Sequence, residues 1–360
     1  MNNPQLVHTT VGRRLTRLTK AAPLVALAVA LAACTSGSPT SDTSAPTTTG
    51  ATQSAQAPAG GAISIFVVGG KSDDPFWSSV KRGGEDAAKV VEAAGGKVTF
   101  LGPQNYDNLG PDAAKLQQTA LSQNPSVVVG PDWVPEAQDA AWKAITAKGI
   151  PVFLYNAGGK EAADKVGAKK YVGSDDYLAG KAGGEKFGDS GVKNLLCVNT
   201  VPGSINQENR CKGAKDGITA KGGSSTQLAL PSSSFGNPSA VSQAIKAALL
   251  KDKTIDGVIT IGVNDADSAA SALDQAKLTD TVKLGTFDVS SSQLDRIKSG
   301  KQLFAIDQQP YLQGFYAVAM AYQYVSYGLF PPDNPMLTGP LLVTSDNVDA
   351  AAAGAKAGVR

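Results

Sequence analysis

From residue 63 onward, short apolar runs alternate with longer stretches in which apolar residues recur every three or four positions. The runs predict strands at 63–68, 97–101, 127–129, 152–155, 171–172, 194–199, 226–230, 257–261, 283–286 and 304–307. The periodic stretches predict helices at 76–94, 110–122, 136–148, 178–187, 207–220, 238–251, 266–276, 290–299 and 311–327. In the first helix Val80, Ala87, Val90 and Val91 fall at helical spacing. Such alternation predicts an α/β fold of parallel sheets with helices on both faces. The strands are nearly continuous in Val, Ile and Leu, as sheets buried on both faces require. About ten strands in roughly 290 residues exceed one ordinary core and predict two domains of similar build.

The first sixty residues have no such pattern. Arg13, Arg14, Arg17 and Lys20 form a basic stretch without acids, followed by an apolar run at 21–31. That run is too short for a spanning helix, which needs about 20 residues. A basic region, a short apolar region and small residues predict a secretory signal peptide at 1–33. Arg13-Arg14 resembles a twin-arginine export pair only faintly, so the export route stays open. Leu31-Ala32-Ala33-Cys34 resembles a bacterial lipobox, which implies a lipid on Cys34. The alternative is an ordinary cleavage site followed by a chance cysteine. Residues 34–61 are mostly Thr, Ser, Pro, Ala, Gly and Gln, and predict a disordered linker. The expected location is the extracytoplasmic face of the cell membrane, held there by the lipid.

Composition then narrows the chemistry. The formal charge is +2 with much of the excess base near the N-terminus, so nothing calls for nucleic acid. The sole histidine is His8, inside the predicted signal. Ser-His-Asp and Cys-His catalysis and His-ligated metals are therefore excluded from the expected mature chain. No catalytic residue, metal or cofactor is expected. Cys197 and Cys211 remain. In an oxidising compartment two cysteines read as one disulfide, with a free reactive thiol as the alternative.

In parallel sheets of this kind, ligands bind beyond the carboxyl ends of the strands. The loops there carry Asp74-Pro75-Phe76-Trp77, Trp133, Asn156, Arg210, Phe235, Asn264, Asp288 and Gln308. They hold neither a G-x-G-x-x-G nor a P-loop phosphate motif. Aromatics, amides, carboxylates and one arginine suit a sugar or polyol. Its hydroxyls both donate and accept, while flat rings cover its C–H faces. Phe76 and Trp77 are thus expected to form one wall of a cleft, with Asp74 as an acceptor. Each also has a structural reading. Arg210 could pair with Glu208 or Asp216 at the surface. Asn264 and Asp288 could cap helices. Trp133 could pack under a loop. Asp265 and Asp267 lie in a first helical turn, where acids are favourable anyway, and are not counted among the candidates.

The residues together resemble the ribose-binding-protein-like type I periplasmic solute-binding proteins of carbohydrate ABC importers. The stretches that carry it are Asp74-Pro-Phe-Trp77, Gly149-Ile-Pro-Val152, 172–181, Asn209-Arg-Cys-Lys-Gly213, Gly262-Val-Asn-Asp265, Gly285-Thr-Phe-Asp288 and Ala305-Ile-Asp-Gln-Gln-Pro310. The resemblance implies two Rossmann-like parallel-sheet domains joined by a three-crossing hinge. Crossings are expected near 174–175, 308–309 and 337–339. The lobes would be 62–174 with 309–337, and 175–308 with 338–360. Phe76 and Trp77 match aromatics that sandwich the sugar, and Phe235 matches the opposing ring. Arg210, Asn264, Asp288 and Gln308 match contacts to hydroxyls. Asp74 stands where ribose binders carry asparagine, and Asn156-Ala157 where they carry an acid and an arginine. The resemblance therefore implies a small carbohydrate or polyol, not ribose in particular.

The expected function is a monomeric lipoprotein that is no enzyme and delivers its ligand to ABC permease subunits in the membrane. A ligand-presenting protein for a membrane sensor kinase is the alternative. An enzyme on the same scaffold is disfavoured by the missing histidines and missing phosphate loop.

Overall fold

The computed structural model describes residues 62–360. The expected signal peptide, linker and lipid site at Cys34 lie outside the described residues.

The first sheet is built from β1 (Ser64–Val68), β2 (Lys97–Leu101), β3 (Val127–Gly130), β4 (Val152–Tyr155), β5 (Tyr171–Ser174) and, far later in the chain, β11 (Met336–Gly339). Its order is β2-β1-β3-β4-β5-β11, and every pairing is parallel. The second sheet holds β6 (Asn194–Asn199), β7 (Ser224–Ala229), β8 (Gly257–Thr260), β9 (Lys283–Phe287), β10 (Phe304–Asp307) and β12 (Leu341–Val343). Its order is β7-β6-β8-β9-β10-β12, parallel except for antiparallel β12. This is a two-sheet α/β fold, as the strand–helix alternation predicts, and it is of the type I periplasmic binding protein kind that the resemblance implies. The central strands β3, β4 and β8 are buried at every position, which explains their mostly apolar sequences; the one hydroxyl among them that is not on an aromatic ring, Thr260, is paired with Thr286.

The helices connecting the first sheet are α1 (Pro75–Ala93), α2 (Leu109–Ser122), α3 (Pro135–Ala147) and α4 (Gly159–Val166). Then α5 (Asp176–Asp189), α6 (Ile205–Ala220), α7 (Pro238–Lys251), α8 (Val263–Ala276) and α9 (Ser291–Lys298) serve the second. Helix α10 (Pro310–Tyr327) returns to the first sheet, and α11 (Val348–Lys356) packs beside α9. The chain thus passes between sheets after β5, after β10, and between β11 and β12. The last passage falls just beyond the expected 337–339.

Two helix pairs set the spacing. Helix α10 crosses α1 so closely that a Cβ on Gly83 would sit 1.9 Å from the Tyr311 carbonyl oxygen, and one on Gly314 1.9 Å from that of Val80. In the same way a Cβ on Gly180 of α5 would lie 2.1 Å from the Arg210 carbonyl oxygen on α6. Glycine is required at both crossings because the backbones touch. Cys197 of β6 and Cys211 of α6 form a disulfide, with Cα atoms 5.7 Å apart. The second crossing and the disulfide together fix the helix that carries Arg210.

Candidate functional site

Both sheets run 2-1-3-4-5 through their first five strands, so strand order reverses at β1/β3 and at β6/β8. Ligands in such sheets sit beyond the carboxyl ends of the strands at that reversal. The loops after β1, β3, β6 and β8 from both sheets meet there around one cavity. All ten sequence-selected residues line it: Asp74, Phe76, Trp77, Trp133, Asn156, Arg210, Phe235, Asn264, Asp288 and Gln308. Its free volume is about 80 Å³, space for several waters or one small ring at about 10–15 Å³ per water centre.

The first-sheet side is an aromatic wall. Asp74 caps α1 by accepting from the amides of Phe76 at 2.9 Å and Trp77 at 3.3 Å. Pro75 follows at the first helical position, where its missing N–H costs nothing. The cap therefore aims both rings. Phe76 meets Trp77 edge-on at 5.3 Å, and Trp77 meets Trp133 at 5.4 Å. The Trp133 indole N–H donates to Asn156 Oδ1 at 3.3 Å, so this buried ring is held by a polar partner. Opposite, Phe235 contributes from the second-sheet side and touches the Tyr106 ring edge-on at 4.8 Å.

The second-sheet side is polar. Arg210 is buried and uses three of its donors within the protein. Nε reaches Asp176 at 2.8 Å, Nη1 the Ile261 carbonyl at 3.0 Å, and Nη2 Gln308 Oε1 at 2.7 Å. The guanidinium lies 4.6 Å over the Phe287 ring. Gln308 Nε2 then donates to Asp288 at 2.6 Å. Two guanidinium N–H groups remain for a ligand, because arginine has five. The surface readings of these residues are thereby corrected. Glu208 is taken by Asn199 and the Gly203 amide, and Asp216 by Lys212 and Tyr177. Asn264 stands inside the first turn of α8, behind Gly262 at the cap. Asp288 adopts a left-handed backbone, φ 66°, and its carboxylate serves Gln308.

Burial dominates the carboxylates. It raises Asp74 to about 6, against the two amides that pull it down. It raises Asp288 to about 7 despite Arg210 and Gln308, and Asp176 to about 6 despite Arg210. Asp265, buried and bonded to the Thr200 hydroxyl at 2.9 Å, is raised to about 7. Three carboxyl groups, Asp74, Asp265 and Asp288, thus line the cavity with Arg210 as the one cation among them, an acceptor-rich surface for hydroxyl donors.

Several cavity residues escaped the sequence reading. Asp265 is one; its first-turn position has a bland explanation, and only its burial reveals the cavity. Asp176 does not line the cavity but holds Arg210 from behind, and it escaped too, since Asp175 beside it supplies the α5 cap. Tyr106 lies in the loop after β2, which ends at an inner strand's neighbour and attracts no attention by composition. Asn206 was findable, because it stands one turn before Arg210 on the same helical face.

The chain as a whole is similar to known proteins. Residues 65–328 match the family of periplasmic binding protein domains. A carbohydrate transporter from Acidothermus cellulolyticus 11B, solved in complex with myo-inositol, has 30% sequence identity and a TM-score of 0.74. The match covers 83% of this chain and 99% of that one. The xylose/arabinose-binding protein XylF of Sulfolobus acidocaldarius is 23% identical over 79% of this chain and 71% of its own length. The glucose-galactose binding protein GanP of Geobacillus stearothermophilus shares the fold, with a TM-score of 0.68, 19% identity, and coverage of 80% of this chain and 99% of that one.

Proposed function

The chain belongs to the periplasmic binding protein domain family, whose members bind substrates and are not enzymes, and on that premise we propose that it captures one small neutral polyol or monosaccharide between its two sheets. The observation that carries this reading is the convergence of ten side chains from both sheets on one small cavity. Aromatic edges and faces on one side would cover C–H groups. Arg210, Asp74, Asn156, Asn264, Asp288 and Gln308 would pair with hydroxyls. The relative from Acidothermus cellulolyticus, solved with myo-inositol, makes cyclitols the first class to test.

Closure would bring lobe 62–174 with 309–337 against lobe 175–308 with 338–360. The closed lobes would then be recognised by ABC permease subunits, with the protein acting as a monomer. Removal of residues 1–33, a lipid on Cys34 and the linker at 34–61 would hold it at the extracytoplasmic face of the membrane.

A thermal-shift and native-mass screen of the purified protein tests the ligand class, using myo-inositol, D-xylose, L-arabinose, D-glucose, D-galactose and D-tagatose. One or more should raise the melting temperature and appear as a one-to-one complex. Failure of all six, and of a wider polyol set, would refute the reading. Cys34→Ala should release the protein from membranes or stop its processing; unchanged fractionation would count against the anchor.

A further inference from the structure

Gln313 does not line the cavity. It is fully buried on α10, whose neighbouring buried positions Ala317, Val318, Met320 and Ala321 are apolar. A carboxamide in such a place is costly unless both its ends find partners. Both do. Asn156 Nδ2 donates to Gln313 Oε1 at 3.2 Å, and Gln313 Nε2 donates to the Gln308 carbonyl at 3.2 Å.

The direction of this chain of hydrogen bonds is fixed at its two ends. The Trp133 indole can only donate, so Asn156 must receive it with Oδ1. Its amide nitrogen must then face Gln313, which must accept with Oε1. Gln313 is left presenting its own amide hydrogens to the Gln308 carbonyl, which can only accept. That carbonyl also accepts from the Thr338 hydroxyl at 2.8 Å, on the strand of the third passage between sheets. From the same residue the Gln308 side chain reaches Arg210 on the other side of the cavity. One carboxamide thus touches the residue that holds the Trp133 wall and the backbone from which the Gln308 contact is made. Between them lies Gln309, in a left-handed conformation at φ 52°, where the chain turns from β10 into α10.

We propose that Gln313 is a positioning residue for ligand capture: it locks the Trp133 wall of one half to the Gln308 junction of the other, so that wall and hinge move as a unit. The proposal rests on the reading of the cavity as the ligand site. It asks more of Gln313 than core filling, since a side chain that only filled space could be methionine.

Two variants of the full chain test it. Gln313→Met has nearly the same volume and neither polar end. Gln313→Glu, compared with wild type at about pH 9 so that its buried carboxyl is ionised, keeps an acceptor for Asn156 and loses the amide donor to Gln308. The first readout needs no ligand: the indole N–H signal of Trp133 in ¹⁵N spectra, assigned by its loss in Trp133→Phe. The second is calorimetric affinity and dissociation rate for myo-inositol, D-xylose and L-arabinose. In Gln313→Met the Trp133 signal should shift and exchange faster, and affinity should fall about tenfold or more through faster dissociation. In Gln313→Glu the Trp133 signal should stay near its wild-type position while affinity still falls. A folded Gln313→Met protein with an unmoved Trp133 signal and affinity within about twofold of wild type would overturn the proposal. If the Met variant does not fold, wild-type affinity in Gln313→Glu overturns it instead. If the wild type binds none of the sugars, the proposed function fails separately, and the Trp133 signal alone decides the role of Gln313.

Discussion

Arg210 donates through Nε to Asp176 at 2.8 Å, and side-chain exposures of 4% and 7% leave this ion pair out of water. The arginine that faces the ligand cavity is therefore also a piece of the interior. A cleft arginine that stood in water would matter little for stability. The buried partner changes that expectation.

Arg210→Ala should lose ligand affinity and also destabilise the fold, because Asp176 is left buried without its partner and must either stay charged or take up a proton. Breaking a buried pair in this way costs about 3–5 kcal/mol. Adding Asp176→Asn should restore much of the stability and none of the affinity. Urea unfolding and calorimetry on both variants check this. Equal stability of the single and double variants would show that an unpaired Asp176 costs the fold nothing.

The raised carboxylates set a pH dependence. Asp74, Asp176, Asp265 and Asp288 hold protons more tightly folded than unfolded, mainly because burial disfavours their charge. An unfolded aspartate ionises near its ordinary value of about 3.9. Between roughly pH 4 and pH 7 the native state therefore binds more protons, and stability falls as pH rises. The exposed Asp73, Asp86, Asp216 and Asp252 are shifted downward by their partners and work the opposite way, but they are screened by solvent. The ligand-free melting temperature should decline from about pH 4.5 to pH 7.5, and Asp265→Asn with Asp288→Asn should flatten the decline. Hydroxyl donors favour the ionised carboxylates, so affinity should rise over the same range and binding should release protons. Calorimetry in phosphate and in Tris measures that release; a flat affinity from pH 5.5 to 8 would contradict it.

Replacing Cys197 and Cys211 by serine removes a cross-link that closes a loop of about 15 residues, worth about 3 kcal/mol in the chain-entropy model. Ligand affinity should change less than about threefold, because Arg210 is held independently by Asp176, the Ile261 carbonyl and the close α5–α6 crossing. Peptide mapping without reductant should recover the cross-linked pair from wild-type protein. A large affinity loss in the folded serine variant would show that the disulfide itself aims Arg210.

The strands of both sheets were legible because burial on both faces makes them apolar without interruption. All ten predicted strands are present, and 97–101, 152–155, 194–199 and 304–307 have the expected bounds. Strands β11 and β12 were not, since they are short, half exposed, and joined through Pro340. Helix α4 was missed because Gly158 and Gly159 open it and its eight residues show hardly two turns of period. At the site, loops at strand ends showed their chemistry openly. Asp176, Asp265 and Gln313 did not, because each has an ordinary place in a helix. Only three-dimensional partners distinguish a cap, a first-turn acid or a surface amide from a buried polar contact.

The last prediction concerns closure. The Ile205 amide donates to the Trp133 carbonyl at 2.8 Å, and the Tyr106 ring meets Phe235 edge-on. Both contacts join an element of the first sheet to one of the second, across the cavity. Tyr106 is braced from behind, because its hydroxyl accepts from the Lys71 amide at 2.8 Å. If the halves separate when the ligand leaves, the Tyr106–Phe235 contact exists only in the closed form. It then contributes to ligand affinity and not to the stability of the ligand-free protein. Aromatic pairs of this geometry are worth about 0.5–1.5 kcal/mol beyond the area they bury. A double-mutant cycle with Tyr106→Ala and Phe235→Ala should show a coupling of that size in binding and none in ligand-free unfolding. X-ray scattering should show ligand contracting the wild type more than it contracts Phe235→Ala. Equal coupling in binding and in unfolding would mean that the two rings stay together without ligand, and that closure does not pass through this contact.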